Sequence, residues 1–441
     1  MIIPKKKYKV YTLKNYADIP QIKSSLSLED LDAIKTVGNV LPFKVNNYVV
    51  EELIDWNNIP NDPIFQLTFP QKEMLSNEHF QEMEQALKEN YTKPELKLIA
   101  NKIRYELNPH PAGQADNVPL LDNTKLTGIQ HKYKETVLFF PSNSQTCHAY
   151  CTFCFRWPQF VGIDELKFAM KETDLLVDYL KEHPEVTDVL FTGGDPLVMS
   201  AKKLAEYIEP LLNADIPNLR NIRIGTKALS YWPYRFINDK DTDDLLRLFE
   251  KITKSGIQLA FMAHFNHSTE LKTKAVEVAI QKILDTGAVI RTQSPIMNHI
   301  NNSADEWAEM WKLQVKLGCI PYYMFIARDT GAQDYFAVTL ENAWKVYRNA
   351  YKQVSGLART VRGPIMSANP GKVQVLGVNE IDDKKMFTLR FVQGRDANWV
   401  GKPFFANYDP TAIWLTDLKP IEGKNKFFYE KEKERQAMEF A

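Results

Sequence analysis

Thr136-Val137-Leu138-Phe139-Phe140 is short, apolar and rich in aromatic and β-branched side chains, the composition of a β-strand. Pro141-Ser142-Asn143-Ser144 ends it, and Cys147-His148-Ala149-Tyr150-Cys151-Thr152-Phe153-Cys154 follows as a loop. The same alternation continues downstream. Strands are expected at Val186–Thr192, Asn221–Gly225, Ile257–Ala263, Val289–Ser294 and Ile320–Ile326, with helical periodicity over Asp164–Lys181, Ala201–Leu212, Asp241–Lys254, Ser268–Asp285 and Ala304–Leu317. Six such units of roughly thirty to forty residues predict an α/β fold with a parallel sheet, a partial (β/α)6-type barrel. Polar and glycine-rich motifs follow the strand ends: the cysteine loop, Gly193-Gly194-Asp195, Thr226, His264, Gln293 and Arg328-Asp329. In a β/α barrel those ends form one functional face.

Outside the barrel the pattern changes. Residues 1–130 carry helical periodicity at Leu28–Val37, Glu73–Glu89 and Pro94–Leu107, joined by proline connectors such as Asn58–Pro63 and Asn108–Pro111. They are read as a helical N-terminal region before a barrel core at 131–355. Residues 356–441 form a small C-terminal α+β extension: Arg362-Gly363-Pro364 to Pro370-Gly371-Lys372 leads into strands at Val373–Val378 and Met386–Val392, and Ile421–Ala441 is a charged tail, a solvated helix or frayed end.

The 441 residues carry 55 Lys+Arg and 55 Asp+Glu, so no global basic excess points to nucleic acid. No apolar run reaches the ~18 residues of a membrane span. The basic start Met1–Lys7 lacks the apolar stretch of a signal peptide, so a cytoplasmic location is expected. Of four cysteines, Cys147, Cys151 and Cys154 are clustered, which suits metal or cluster ligation in a reducing compartment better than disulfides. Cys319 sits in an apolar context and reads as a small buried hydrophobe. The C-x3-C-x2-C spacing can offer three soft thiolates to a [4Fe–4S] cluster, leaving one iron open to another chelator. Zinc is the alternative, but it wants a fourth ligand, and His148 is awkwardly adjacent to Cys147.

The cysteine loop, with Phe153 before its last cysteine, resembles that of radical S-adenosylmethionine (SAM) enzymes, and Gly193-Gly194-Asp195-Pro196 resembles their GGE-type motif. The resemblance implies a radical SAM barrel. Cys147, Cys151 and Cys154 would hold the cluster, SAM would chelate its open iron, and an electron from a reductant such as flavodoxin or ferredoxin would release a 5′-deoxyadenosyl radical. Phe153, Gly193, Gly194, Asp195, Thr226 and His264 fall in the cofactor-binding set.

Further stretches are similar to the lysine 2,3-aminomutase family: Asp62-Pro63, His131-Lys132-Tyr133, Arg156, Asp188–Asp195, Arg223–Thr226, His264-Phe265-Asn266-His267, Gln293-Ser294 and Pro321-Tyr322-Tyr323. That family adds pyridoxal phosphate (PLP) and moves an amino group between adjacent carbons of an amino acid. By the resemblance, Arg156 takes the substrate's α-carboxylate, Tyr133 and Gln293 contact PLP, and Lys132 lies near its phosphate, though Thr136 replaces a second arginine expected there. By the same resemblance Lys372 would be the PLP lysine, in Pro370-Gly371-Lys372, three glycines shorter than the family's run; the other reading is a lysine entering a strand.

At the substrate end, Arg328 stands where lysine enzymes place one ammonium-binding aspartate, and about Ala368, beside Asn369, where they place the other. An arginine suits a carboxylate, so a small-molecule substrate resembling glutamate or aspartate is expected, with Asp329 a neighbouring counter-charge. A homodimer is expected without the family's intersubunit zinc, because no cysteine follows Cys319. Two other readings stay open: a PLP-independent radical SAM enzyme abstracting hydrogen from a small polar substrate, and an electron-transfer or cluster-sensing protein. The last leaves the GGD, Thr226 and His264 features as coincidences.

Overall fold

The computed structural model describes residues 3–108, 115–162, 168–421 and 423–430. Its main sheet has eleven strands in chain order: β1 (Ile129–Tyr133), β2 (Thr136–Phe139), β3 (Asp188–Phe191), β4 (Asn221–Thr226), β5 (Gln258–His264), β6 (Val289–Ile296), β7 (Ile320–Ile326), β8 (Arg362–Ser367), β9 (Gly371–Ile381), β10 (Lys384–Gly394) and β11 (Pro403–Asn407). Strands β2 to β8 run parallel, β1 pairs antiparallel with β2, and β9 to β11 extend the other edge antiparallel. Among the described residues the edge strands do not pair, so the barrel is partial. The sheet nevertheless curls far enough for Lys132 Nζ, on β1, to donate to Ala368 O in the β8–β9 hairpin at 2.5 Å.

Each parallel strand alternates. On β4, Ile222, Ile224 and Thr226 are buried while Asn221, Arg223 and Gly225 are half-buried. Ile222 and Ile224 belong to the core under the outer helices, Arg223 faces the barrel interior, and Thr226 at the strand end turns its hydroxyl to Asp195. The interior is polar, and Arg223 Nε pairs with Asp188 Oδ1 there at 2.6 Å.

The outer helices are α4 (Thr173–Glu182), α5 (Ala201–Asn213), α6 (Thr242–Lys254), α7 (Lys274–Asp285), α8 (Ala304–Lys316) and α9 (Leu340–Lys352); α1 (Leu28–Val40), α2 (Asn77–Lys88) and α3 (Lys93–Glu106) precede them. Of the helix expected at Asp164–Lys181, residues 163–167 lie outside the described residues, and regular helix begins at Thr173. The helix expected over Ser268–Asp285 is two elements, a 3-10 turn at Ser268–Leu271 capped by His267 and then α7, whose cap Thr273 accepts from Val276 N.

A seventh parallel strand, β8, occupies what the sequence suggested was a punctuated connector. Gly and Pro argue against a central strand. Here the ladder shifts register between the Tyr323–Arg362 and Phe325–Ile365 pairs, and the Gly363 carbonyl accepts from Gln374 Nε2 at 2.9 Å. A Cβ at Gly363 would lie 2.7 Å from Met324 Cβ, so the close approach needs glycine.

The N-terminal region builds its own core, and that core includes Ala149 and Trp157, with Cys151, Phe153 and Cys154 packed against it. The underside of the cysteine loop therefore rests on residues far upstream. At the other end, Phe427 and Tyr429 bury against Phe404, while the rest of the expected tail, 431–441, and Pro109–Pro111 of the expected connector lie outside the described residues. No helix among the described residues is long and apolar enough to cross a membrane.

Candidate active site

The cysteine loop is held from several directions. Asp62 caps the helix Pro63–Thr68, accepting from Phe65 N at 2.7 Å, and Pro63 supplies a pre-set first turn. That helix aims two carbonyls at the loop: Gln66 O accepts from Thr152 Oγ1 (2.7 Å) and Leu67 O from Thr152 N (3.0 Å). Tyr8 Oη and Asn46 Nδ2 both donate to His148 O, at 2.8 and 3.2 Å, and Lys44 O accepts from Tyr150 N at 2.7 Å.

Burial pushes the Cys151 thiol up to about 12 and Cys154 up to about 11, and raises Cys147 well above its ordinary range; Asp195 and the two other thiols add to the rise at Cys147, and Cys154 adds to it at Cys151. A cation opposes this at each sulfur: Lys44 at Cys147, Lys227 at Cys151 and Arg156 at Cys154. Among the described residues no three or more His, Cys, Asp or Glu gather closely enough to hold one metal ion. A [4Fe–4S] cluster takes one thiolate per iron, so its ligands need not converge on a point. Three thiols near enough for Cys151 and Cys154 to act on Cys147, each faced by a cation, fit such an anionic group.

The GGD turn after β3 is stitched to this loop. Gly194 N donates to Ser144 O (2.9 Å) and Asp195 N to Thr146 O (2.8 Å). Gly193 has φ +149°, and a Cβ there would lie 2.3 Å from Ser144 Oγ; one at Gly194 would lie 2.3 Å from Thr146 O. Both glycines thus permit contact between two loops. The Asp195 carboxylate accepts from Leu197 N (2.9 Å), Thr226 Oγ1 (2.8 Å) and Lys227 N (2.9 Å), tying the end of β3 to the end of β4. Burial raises its pKa to about 6 against these donors. At the next two strand ends, His264 Nε2 and the Gln293 amide meet at 2.6 Å, and burial lowers the imidazole to about 3, so the ring is neutral. His267, by contrast, caps its own turn and faces Glu306 at 3.4 Å.

Arg156 donates from Nη1 to Thr192 Oγ1 and to Gly193 O (3.0 Å). Its guanidinium stacks over Phe155 at 5.1 Å, and Arg328 stacks over the same ring at 5.2 Å. Two half-buried guanidinium groups therefore share one aromatic ring. Arg328 Nε is buried without a hydrogen-bond partner among the described residues, and its nearest carboxylate oxygen, on Asp329, is 3.8 Å away.

Lys372 is not on a free loop. It pairs with Ser367 across the β8–β9 hairpin, and its Nζ donates to Gln393 Oε1 at 2.5 Å. The amine lies 5.1 Å from the ring centres of both Tyr133 and Tyr323. Burial, then the Arg223 and Arg362 charges, lower it to about 7. Lys132 is lowered to about 6 by burial and by Arg395, Arg328 and Lys372. Such crowding of cations leaves room for an anion. An aldehyde needs an unprotonated amine, a pyridine ring needs aromatic walls and a phosphate needs cations, so these residues fit PLP. A cleft of about 830 Å³ opens at the same seam, lined by Lys132, Tyr133, Asn369, Arg395 and Trp399.

The structure thus brings together Cys147, Cys151, Cys154, the GGD turn, Thr226 and Arg156 on one side, and Lys132, Tyr133 and Lys372 on another, with Arg328 facing both. It adds residues the sequence did not single out. Lys227 Nζ donates to Asn266 Oδ1 (2.8 Å) and pairs with the fully buried Glu270 at 2.5 Å. Tyr231, on the short helix Ala228–Tyr231, sets its hydroxyl 3.7 Å from Cys151 Sγ. Lys227 follows Thr226 at a strand end, and that position was its one local signal.

No protein-family profile matches the chain. A protein of Aquifex aeolicus (strain VF5), provisionally named L-lysine 2,3-aminomutase, is 30% identical over 419 residues, covering 95% of this chain and 96% of the relative. The L-lysine 2,3-aminomutase of Bacillus subtilis (strain 168) is 29% identical over 237 residues, 54% of this chain and 47% of that one. Among solved structures, a radical SAM methyltransferase from Sphaerobacter thermophilus aligns with 51% of this chain and 66% of its own at 12% identity and a TM-score of 0.37, too low to carry weight.

Proposed function

The chain belongs to the lysine 2,3-aminomutase family of radical SAM enzymes, and from that premise we propose that it moves the amino group of an α-amino acid with an anionic side chain from C2 to C3. Cys147, Cys151 and Cys154 would hold the [4Fe–4S] cluster, the GGD turn with Thr226 and His264 would line the SAM side, Lys372 with Lys132 and Tyr133 would line the PLP side, and Gln293 would reach PLP from its place against His264. When bound, the cluster and SAM supply a 5′-deoxyadenosyl radical, and PLP supplies a carrier for the migrating nitrogen. The chain's own residues bind, orient and exclude water. Arg156 offers a guanidinium to the α-carboxylate. The lowered pKa of Lys372 keeps much of its amine unprotonated near neutral pH.

The observation that carries the substrate assignment is Arg328. A half-buried guanidinium whose buried Nε has no hydrogen-bond partner among the described residues, with Asp329 no nearer than 3.8 Å and a second guanidinium beside it, would repel an ε-ammonium and welcome a carboxylate. Glutamate is the informative substrate, because the shift converts it to achiral 3-aminopentanedioate, whereas the same shift on aspartate returns aspartate. The test incubates reduced enzyme, reconstituted with iron, sulfide and PLP, with SAM and either glutamate or lysine, and reads the isomeric β-amino products by proton NMR after chromatographic separation from the substrate. Formation of β-lysine would sink the assignment.

A second reading is a PLP-independent radical SAM enzyme, favoured by the anchoring of Lys372 in a strand ladder. Borohydride reduction followed by peptide mapping separates the two: a pyridoxyl adduct on Lys372 supports the aminomutase, and its absence supports the alternative.

A further inference from the structure

Tyr231 is 1% exposed, and its backbone is pinned because its carbonyl accepts from Asn46 Nδ2 at 2.8 Å. A buried phenol needs a hydrogen-bond partner. Among the described residues the Cys151 sulfur, 3.7 Å away, is the partner of this hydroxyl. While Cys151 is a thiol, either atom can donate. Once the sulfur is a thiolate bound to iron, the only hydrogen left in the pair is the phenolic one, so the phenol must donate. Lys227 Nζ sits 4.2 Å from the centre of the ring, drawing electron density from it and strengthening the donor. Asn266 and Glu270 fix that ammonium in place.

A hydrogen bond to a ligand sulfur withdraws charge from the cluster and favours the state carrying one more electron. We propose that Tyr231 is a positioning residue for electron transfer, donating its hydroxyl hydrogen to the Cys151 sulfur and so stabilising the reduced cluster. This rests on the reading that the three cysteines ligate a [4Fe–4S] cluster. The step is a one-electron reduction of that cluster, from the 2+ to the 1+ state, by an external reductant, with no proton transferred.

The test uses full-length protein, wild type and Y231F, reconstituted anaerobically. Iron and sulfide content and the electron paramagnetic resonance signal after dithionite report the cluster itself; a wild type without one overturns both the ligation reading and the proposal. With clusters present in both proteins, a redox titration is expected to give Y231F a more negative midpoint. At a fixed potential its reduced-to-oxidised ratio should fall at least threefold, equivalent to about 28 mV for one electron. An unchanged midpoint overturns the proposal and leaves the ligation reading intact. Should Y231F fail to take up a cluster, electron–nuclear double resonance on reduced wild type in H2O and D2O decides. An exchangeable proton coupled to the cluster that Cys151 ligates supports the proposal, and the lack of one refutes it.

Discussion

A single methyl group at residue 194 tests how the site is assembled. The Cβ of Gly194→Ala would lie 2.3 Å from Thr146 O and 2.6 Å from Thr146 N, both backbone atoms that no rotamer change can move. Ordinary contact begins near 3.5 Å, so turn and loop must part by about 1 Å. That separation strains two buried donors, Gly194 N to Ser144 O (2.9 Å) and Asp195 N to Thr146 O (2.8 Å). At about 1 kcal/mol for each bond, plus about 2 kcal/mol for overpacking, the loss is roughly 4 kcal/mol. It falls on the segment that precedes Cys147.

Gly194→Ala is expected to take up less than half the wild-type iron on anaerobic reconstitution. Its melting temperature should fall by roughly 5 °C. Gly356→Ala is the control, because a Cβ there meets nothing within 4 Å. Gly193 is the poorer choice, since its φ of +149° adds a backbone penalty to the steric one. Full iron content with unchanged melting in Gly194→Ala would refute the idea that loop contact, and not backbone freedom, fixes this glycine.

Three other outcomes are expected. Lys372 is lowered to about 7, so its free amine dominates above that pH; borohydride-fixed capture of pyridoxal phosphate should rise roughly tenfold per unit below about pH 7 and level above it, whereas an ordinary lysine would keep rising toward 10.5. Arg328→Ala should cut kcat/KM for glutamate roughly 100-fold, the loss of about 3 kcal/mol from a charge-assisted contact, without lowering the melting temperature, because the residue removed is crowded by Arg156. His264 is lowered from 6.5 to about 3 by burial, so below pH 6.5 the unfolded chain takes up a proton that the folded chain refuses. The stability this histidine contributes is complete above pH 6.5 and is lost as pH falls toward 3, and His264→Gln should flatten the fall in urea midpoint between about pH 7 and 5.

Much of the site was written locally. The three cysteines, the GGD triplet and the strand ends of Thr226 and His264 stand out because each is a composition change at the end of an apolar run. The parallel strands β2 to β7 were legible for the same reason. Strand β8 was not, because Gly363-Pro364 reads as a turn unless Met324 and Gln374 are known to meet it. Asp62-Pro63 was visible as a pair, but its purpose, aiming the Gln66 and Leu67 carbonyls at Thr152, lies 86 residues away for Gln66. Tyr8 with His148 and Lys44 with Thr146 are separated by 140 and 102 residues, and no window of sequence contains both partners. Lys372 is a case of two readings meeting: it enters a strand, and its amine still lies between two tyrosine rings.

The clamping of the cysteine loop from upstream sets an order of events for biogenesis. Tyr8, Asn46 and the helix Pro63–Thr68 cannot grip the loop until chain contacts spanning 86 to 140 residues have closed. Closure of that kind is slow and comes after local helices form. Iron delivered before it would meet three thiols on an unrestrained segment; iron delivered after it meets a finished socket. On the reading that the three cysteines take a cluster, a chain without its first seventy or so residues would offer iron the thiols but not the socket.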